Sequence, residues 1–529
     1  MSANNLGYWC AAAVERYPDR VALADRSRDP VREVSYGELD GRMDRVASML
    51  TARGLVPGDR VAMAIGNRFE FVEIMYGAMR AGLVPVPLNT KLGREPLEYI
   101  VRDAGAVAAF VEPECNRFVV DVVDALELDH RLSLSPSPSL PPGWDAYESL
   151  LDVAGPDFEP PEIPDAHPSF QPYTSGSTGK PKGVVLTHEG QLWWVRCLTK
   201  YWPEKSDARA LAAVPLYHKN AMAGAIKPLL QSGGTVVILP DFEPRRFLRV
   251  LSEDKCTQAG AVPAVFTKLL QHEDLIETLD FSALESINIG SAPVQKELML
   301  QVQAAFGVKV TESYGLTEGG PVMIGPPLDG RAVPFGSCGV AWPEGEVRLE
   351  PVGGEDPGAA AEHGELWVKN PGVTPGYHNL PDVNEDRIRD GWLATGDLFS
   401  RDADGFFYFR GRTDDMFNCG GENIYPKEVE DLLLSHPDVY DAAVVPVEHP
   451  VKGHVPVAMT MRREGGSTID EVALKTYCLE NGPAYAHPRR IFLVDRLPLN
   501  GAGKVDRTRV MDEVSKRMGE TKPPLDERT

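Results

Sequence analysis

Apolar and polar positions along this chain follow two periods that take turns. Val21-Ala22-Leu23-Ala24 is a short apolar run that predicts a strand. Ser35-Tyr36-Gly37-Glu38-Leu39 then opens a helical pattern reaching about Arg53, with Ser35 at the N-cap and Glu38 at the capping-box position. A turn at Gly58-Asp59 precedes a predicted strand over Arg60–Ile65. Phe69–Arg80 predicts an amphipathic helix, and Val84-Pro85-Val86 and Ala106–Val111 predict two further strands. Strand and helix alternating over this length predict an α/β sheet.

The stretch 134–172 is rich in Pro and Ser and predicts a surface loop. The α/β pattern resumes through 185–325, and Gly339 to Gly411 is β-rich, with turns at Gly353-Gly354, Gly372 and Asp404-Gly405. Beyond the polar turn Gly411–Asp415 lies a βαβ-like piece. It comprises helix Pro426–Leu434, strands Ala442–Val447 and Val455–Met461, helix Ile469–Asn481 and strand Arg490–Val494. This pattern puts a domain boundary at about Thr413, dividing the chain into 1–413 and 414–529. The tail after Arg517 is polar, carries Pro523-Pro524 and predicts disorder.

With 529 residues the chain exceeds one core, and 43% hydrophobic with 25% charged residues is an ordinary globular composition. A net charge of −23 argues against a nucleic-acid partner and against docking on anionic lipid. It leaves room for an anionic ligand at a locally positive loop. The seven cysteines are scattered and form no C-x-x-C, which fits free thiols in a reducing compartment and no structural zinc. No targeting segment and no integral membrane segment is expected, so the cytoplasm is the default.

One segment changes this picture: Thr174-Ser175-Gly176-Ser177-Thr178-Gly179-Lys180-Pro181-Lys182-Gly183. Backbone N–H groups in a glycine-rich loop form an anion-binding concavity, to which four hydroxyls and Lys180 and Lys182 add donors and charge. It differs from the common P-loop, because two residues separate Gly176 from Gly179 and Pro181 follows Lys180. Ser169–Tyr173 before it and Gly183–Thr187 after it both read as strands, so the loop is expected at a hairpin tip that holds polyphosphate. A flexible Gly/Ser linker is the bland alternative, and the flanking strand-like runs argue against it.

Four more segments carry chemistry. Thr311-Glu312-Ser313-Tyr314-Gly315-Leu316-Thr317-Glu318 presents a ring, a hydroxyl and a carboxylate around a turn. Ala394-Thr395-Gly396-Asp397 exposes one carboxylate. Gly411-Arg412-Thr413-Asp414-Asp415 precedes Gly420-Gly421-Glu422-Asn423. Leu497-Pro498-Leu499-Asn500-Gly501-Ala502-Gly503-Lys504 puts a lysine on a glycine-rich arm. Taken singly, Asp397 is a turn former, Arg412 and Lys504 are surface charges and Tyr314 is core.

In this order, downstream of the loop, these segments resemble the adenylate-forming superfamily of acyl-CoA synthetases, luciferases and peptide-synthetase adenylation domains. The resemblance covers roughly residues 15–512. It implies an α/β protein: a large N-terminal domain of two α/β subdomains plus a β-barrel, with a small mobile C-terminal α+β domain. It also implies two half-reactions. A carboxylate attacks the α-phosphate of ATP to give acyl-AMP and pyrophosphate, and a thiol then displaces AMP.

The roles implied are these. The hydroxyl-rich loop, Thr174 to Gly179 with Lys182, holds the β- and γ-phosphates. Glu318 is the Mg²⁺ ligand and Thr317 bonds the α-phosphate. Tyr314, with Glu312 and Ser313 beside it, lies on the adenine, whose other face meets Gly290, Ser291 and Ala292. Asp397 and Arg412 take the ribose. Lys504 is the catalytic lysine, bridging the substrate carboxylate and the α-phosphate. Asp414 is the hinge about which the small domain turns, taking Lys504 away and bringing Gly420 and Gly421 in to wall a thiol tunnel. Tyr485 and His487 match the place where some members stack the coenzyme A nucleotide. The chain departs from the family at Asn500, where Thr is commoner, and at Phe417-Asn418, in place of Ile-Lys.

Pro215-Leu216-Tyr217-His218-Lys219-Asn220-Ala221-Met222 matches the segment that gates the acyl pocket, with His218 as the gate. Amino-acid-activating members place an Asp just after the gate. Here Asn220-Ala221-Met222 offers no carboxylate, so an ammonium-bearing substrate is disfavoured. The other pocket candidates, Trp194, Met222, Val262, Ala292 and Met323, are apolar and suit an aromatic, cyclic or medium-chain acid. The expected partners are that acid, ATP and coenzyme A. A ligase loading an acyl carrier protein stays open beside the acid–CoA ligase, as does a homodimer. A phosphotransferase with an unusual phosphate loop and a non-catalytic nucleotide-binding module are weaker alternatives. Acid-dependent pyrophosphate exchange excludes the first, and the presence of Lys504 argues against the second.

Overall fold

The computed structural model describes residues 4–135, 140–175, 180–201, 205–290, 294, 296–351, 362–419, 422–463, 469–484, 486–500 and 504–520, without the side chains of Ser175, Asn220, Ala223, Pro321, Val322, Asn423 and Glu520. The chain forms two compact units. One comprises 1–348 and 367–395, the other 349–366 and 396–529.

The larger unit is built on two sheets. The first has seven strands in the order Lys309–Thr311, Ser286–Ile289, Gln258–Ala261, Arg209–Ala212, Thr235–Ile238, Val21–Asp25, Arg32–Ser35. All neighbours are parallel except the last pair. The second is fully parallel: Val84–Pro87, Arg60–Ala64, Ala106–Val111, His130–Ser133, Asp145–Ala146. Their cores are Val-, Ile-, Leu- and Ala-rich, as strands covered on both faces require.

Helix Tyr36–Ala52 starts where the capping pattern predicts, with the Ser35 hydroxyl accepting from the Glu38 N–H at 3.2 Å. The reciprocal half of the capping box is absent, because the Glu38 carboxylate pairs with Arg32. Helix Phe69–Arg80 was expected to be amphipathic, and every one of its residues is buried. It packs chiefly against helix Tyr36–Ala52 and the turn Leu6–Tyr8, and also against strands of both sheets, so it has no solvent face. Its charges are paired instead. Arg42 donates to both Glu73 oxygens at 2.5 and 2.8 Å, and Arg80 donates to Asp44 at 2.7 Å.

The Pro/Ser-rich stretch is also more than a loop. It contains strand Asp145–Ala146 and helix Tyr147–Val153. Tyr147 is fully buried and donates its hydroxyl to Glu73 at 2.5 Å. A buried carboxylate needs donors, and this segment supplies one.

Short antiparallel strands follow, Tyr314–Leu316, Gly320–Gly325 and Val340–Ala341 in one sheet, then a near-barrel sheet with Glu346–Glu350, His363–Lys369 and Trp392–Arg401. The smaller unit includes the sheet Glu422–Ile424, Phe417–Cys419, Gly453–Arg462, Val439–His449, with Arg490–Val494 parallel on Gly453–Arg462. Helices Pro426–Leu434 and Glu471–Asn481 match the expected ones. Helix Arg507–Glu520 was not foreseen. It buries Val510 and Val514, one turn apart, against Val445, Val457 and Met459, so residues 518–520 are helical rather than part of a disordered tail. The remainder of that tail lies outside the described residues. Among the described residues no helix is long and apolar enough to cross a membrane.

Asp441 in this sheet gives the smaller unit a pH dependence. Burial, which the Ala442 N–H partly offsets, pushes its carboxyl from 3.8 up to about 6. A raised carboxyl stabilises fully below its unfolded value and loses that contribution as pH rises through the folded value. Asp441→Asn is therefore expected to match the native chain in thermal unfolding near pH 4 and to exceed it by roughly 2 kcal/mol at pH 8. Equal stabilities at pH 8 would show that the carboxylate is well solvated there.

Candidate active site

Four neighbouring parallel strands end on one side of the seven-stranded sheet, and each end delivers a candidate residue. After Arg209–Ala212 comes the segment with His218. After Gln258–Ala261 comes Val262, after Ser286–Ile289 comes Gly290, and after Lys309–Thr311 come Glu312, Ser313 and Tyr314. The carboxyl ends of parallel strands are where α/β sheets open a crevice, because the returning chains leave in opposite directions there. Gly260 fits that description: it is exposed on an otherwise covered central strand, and a Cβ built on it would meet nothing nearer than Asn288 at 3.6 Å.

The hydroxyl-rich segment is a hairpin, as its sequence predicts. Tyr173–Ser175 pairs antiparallel with Pro181–Gly183, setting Lys182 opposite Thr174. Pro172 lacks a donor, and the expected strand before the tip is split there into Pro168–Phe170 and Tyr173–Ser175. Gly183 lies so close to the Tyr173 ring that a Cβ would sit 2.9 Å from it. The Tyr173 hydroxyl donates to Asp103 at 2.7 Å, and burial together with that carboxylate raises its pKa. The Lys182 ammonium lies 5.6 Å from the Tyr377 ring centre. Thr174 is half-buried. Gly176, Ser177, Thr178 and Gly179 at the tip, and the Ser175 side chain, lie outside the described residues, as do Ser291 and Ala292.

Tyr314 pairs across to Ile324 in the short hairpin that carries Thr317 and Glu318. The Tyr377 hydroxyl donates to the Glu318 carboxylate at 3.2 Å, and the Glu318 carbonyl accepts from the Thr374 N–H at 2.7 Å. Sequence reading missed Tyr377. It also missed Lys219, which it quoted only as part of the gate motif. Lys219 is 7% exposed and donates to the Thr317 carbonyl at 2.6 Å, joining the gate segment to the Thr317-Glu318 turn. Burial lowers its pKa to about 7 against the opposing pull of Glu318.

His218 is half-buried at the N-cap of Lys219–Ala221, its ring 4.6 Å from that of Tyr217. Trp194, Met222 and Met323 are each 1% exposed, and Val262 is half-buried. The Asn220 side chain lies outside the described residues.

In the smaller unit, Asp397 is 7% exposed and Arg412 donates to it at 2.8 Å. The same guanidinium reaches Asp414 at 2.8 Å. Burial opposes its charge, and Asp397 and Asp414 outweigh burial, so its pKa is raised. Lys504 is exposed in surface terms, yet its ammonium is enclosed enough for desolvation to lower its pKa, with Asp397 pulling it up and Arg412 pushing it down. Lys504, Asp397 and Arg412 are thus electrostatic neighbours within this unit. Asn500 clamps the lysine arm from both sides. Its side chain accepts from the Lys504 N–H at 3.1 Å, and its own N–H donates to the Lys504 carbonyl at 2.7 Å. The departure from the family pattern at Asn500 therefore has a structural use. Gly420, Gly421 and Tyr485 lie outside the described residues. His487 is 6% exposed and its ring is in contact with Arg489.

Glu318, the carboxylate that the family resemblance assigns to Mg²⁺, is half-buried. Among the described residues no three His, Cys, Asp or Glu side chains converge on a metal site. A half-buried carboxylate of this kind suits Mg²⁺, which keeps waters and takes substrate phosphate oxygens alongside one or two carboxylates.

Comparison with known proteins agrees with this geometry. Residues 10–378 match the family described as AMP-binding enzyme, and residues 428–504 match the AMP-binding enzyme C-terminal domain. The chain is 34% identical to a feruloyl-CoA synthase of an Amycolatopsis species, over 98% of this chain and 100% of that one. It is 31% identical to the indoleacetate–CoA ligase of Aromatoleum aromaticum, over 97% and 98%. The crystal structure of ATP-bound MatB from Rhodopseudomonas palustris superposes with a TM-score of 0.85 at 29% identity, covering 97% of this chain and 99% of that one.

Proposed function

This chain belongs to the AMP-binding enzyme family, and from that premise we propose that it activates an aromatic, cyclic or medium-chain carboxylic acid with the residues described above in named roles. The reaction is that of an AMP-forming acid–CoA ligase. ATP activates a carboxylic acid to acyl-AMP with release of pyrophosphate, and coenzyme A takes the acyl group as a thioester with release of AMP.

Bringing two anions together makes positioning and charge neutralisation the main work of the first step. In our reading the hydroxyl-rich hairpin, with Thr174 and Lys182 at its base, holds the β- and γ-phosphates. Thr317 bonds the α-phosphate, and Tyr314 and Gly290 flank the adenine. Asp397, an acceptor-only group, takes the ribose hydroxyls while Arg412 holds that carboxylate in place. Glu318 holds Mg²⁺, which when bound supplies charge for the phosphate oxygens. Lys504 meets the developing charge between carboxylate and α-phosphate. In the second step Asp414 serves as hinge, with the division 1–413 and 414–529 as the two moving parts. Gly420, Gly421 and Tyr485 serve the thiol.

The observation that carries the reading is the convergence of four strand ends on one crevice, with Lys219 tying the acyl gate to the Thr317-Glu318 turn. Buried Trp194, Met222 and Met323 favour an acid with an apolar body, and the two relatives quoted above are named for aromatic acids. All seven cysteines are unpaired, which supports a reducing compartment, the cytoplasm.

The test is a panel of aromatic, alicyclic and short- to medium-chain acids in pyrophosphate-release and radiolabelled-pyrophosphate exchange assays, with coenzyme A as acceptor. Acid-dependent exchange and thioester formation without any protein acceptor are expected. Thioester formation that requires a carrier protein would transfer the second step to the alternative acceptor. Turnover of amino acids alone would overturn the substrate class.

A further inference from the structure

Helix His188–Tyr201 turns two buried polar side chains, Gln191 and Trp194, toward the helix that follows the gate segment. Gln191 is 0% exposed and its Oε1 accepts from the Lys227 ammonium at 2.7 Å. That bond fixes the amide orientation, because lysine can only donate there, and leaves the Gln191 Nε2 donor with no partner. The Trp194 indole N–H, also buried, has no partner either. Lys227 is 1% exposed and sits over the rings of Trp194 and Phe170, 4.9 and 5.6 Å from their centres. Three donor-bearing side chains therefore lie together in the interior: Lys227 bonds the Gln191 oxygen and sits over the Trp194 ring, while the Gln191 Nε2 and Trp194 N–H donors find no acceptor. Buried donors without acceptors are costly and uncommon, and their usual explanation is a group that arrives later.

Their position says which group. Lys227 follows the π-helical turn Met222–Ile226, and that turn follows Lys219, whose ammonium bonds the Thr317 carbonyl. Such turns insert an extra residue and re-aim the side chains after them. Eight residues separate Lys219, at the end where the acid's carboxylate reacts, from Lys227, a span of roughly 12 Å along a helix. The two ammonium groups are close enough for Lys219 to act on Lys227 electrostatically. Gly224, between them, is exposed although its neighbours Met222, Ile226 and Lys227 are buried, so this segment faces open space.

We propose that Lys227, Gln191 and Trp194 form a specificity site at the far end of the acyl pocket, selecting acids that carry an oxygen acceptor, a phenolic hydroxyl or a second carboxylate, remote from the carboxyl that is activated. The proposal rests on the acid-activating reading of the same pocket and narrows its substrate class. It revises the expectation of a wholly apolar pocket, because Trp194, expected there as an apolar wall, brings its N–H donor and two polar neighbours. The distal oxygen would accept from the Lys227 ammonium, the Trp194 N–H and the Gln191 amide. A site built on donors rejects an analogue lacking the acceptor more strongly than an apolar wall rejects a changed methylene count.

Matched pairs of acids test this with the full-length enzyme: hexanoate against adipate, and cinnamate against 4-hydroxycinnamate, each measured as kcat/KM for pyrophosphate release. The native enzyme is expected to prefer the acceptor-bearing member of at least one pair by roughly tenfold or more. Lys227→Met, close in volume, is expected to erase that preference while retaining turnover of the plain acid. Should Lys227→Met fail to fold, Gln191→Leu, which removes the partner amide, is read by the same criterion. A native enzyme indifferent to the distal group, or variants with the native preference, would overturn the proposal and leave the cluster as a hydrated part of the core. Pyrophosphate release with no member of any pair would instead count against the acid-activating reading. Equal release with both members leaves that reading standing and removes only the distal site.

Discussion

Lys504→Ala is expected to lower the rate of acyl-AMP formation by roughly a thousandfold while largely sparing thioester formation from supplied acyl-AMP. The asymmetry follows from the chemistry of the two steps. The first joins two anions, so a cation between them counts for most of the barrier that the protein can remove. The second has a thiol attack a carbonyl, with no second anion to neutralise. The structure adds a reason why the effect should be large: the ammonium lies near Asp397 and Arg412 in an environment that already opposes its charge. A developing anionic centre would relieve that opposition in the transition state more than in the free enzyme. Single-turnover measurements of each half-reaction provide the check. Equal losses in both would mean that Lys504 supports the fold of the arm, for which thermal unfolding of the variant is the control.

Asp414→Pro should cripple the thioester step by about ten- to a hundredfold and leave adenylation within a few-fold of native, because proline fixes φ at the position proposed to turn. Asp414 also accepts from Arg412 at 2.8 Å, so the substitution removes that bond as well as backbone freedom. Asp414→Ala separates the two effects, since it removes the carboxylate and keeps the torsion free. A second step equally slow in both variants would assign the effect to the Arg412 contact. A native second step in Asp414→Pro would place the hinge elsewhere. Arg507, which pairs with both Asp415 at 3.2 Å and Glu430 at 2.9 Å, ties the residue after the proposed hinge to the body of the smaller unit.

The segments that sequence reading located best are those whose chemistry is local. The antiparallel pairing around the hydroxyl-rich loop needs only β-branched and aromatic runs on either side of a glycine-rich tip, and it appears in the register Lys182 opposite Thr174. Helix Tyr36–Ala52 begins at its cap for the same reason: Ser35 acts on an N–H three residues away. Strand Arg490–Val494 likewise coincides with its apolar run.

Other features depended on partners far away along the chain. The helix at Tyr147 is held by Glu73, 74 residues earlier, and every residue in Phe69–Arg80 is buried because helix Tyr36–Ala52, the turn Leu6–Tyr8 and strands of both sheets pack around it. Neither is visible in a local window. Lys219 drew no reading of its own within the gate motif, and its bond to the Thr317 carbonyl, 98 residues on, gives it a place. Lys227 carried no sequence signal, because one lysine in a helix is ordinarily a solvated one.

The order of chemically loaded segments and the hairpin were determined by residue identity and spacing, since close-range backbone geometry and the intrinsic chemistry of side chains need no third dimension, and the kind of reaction followed from the family resemblance that this order carries. What only the tertiary structure decided is which of those side chains lose their water and beside whom. Desolvation is a property of the packed neighbourhood, and it is what buries Lys219, Lys227 and Gln191, polar side chains that no local pattern singles out, and sets Gln191 against the Lys227 ammonium.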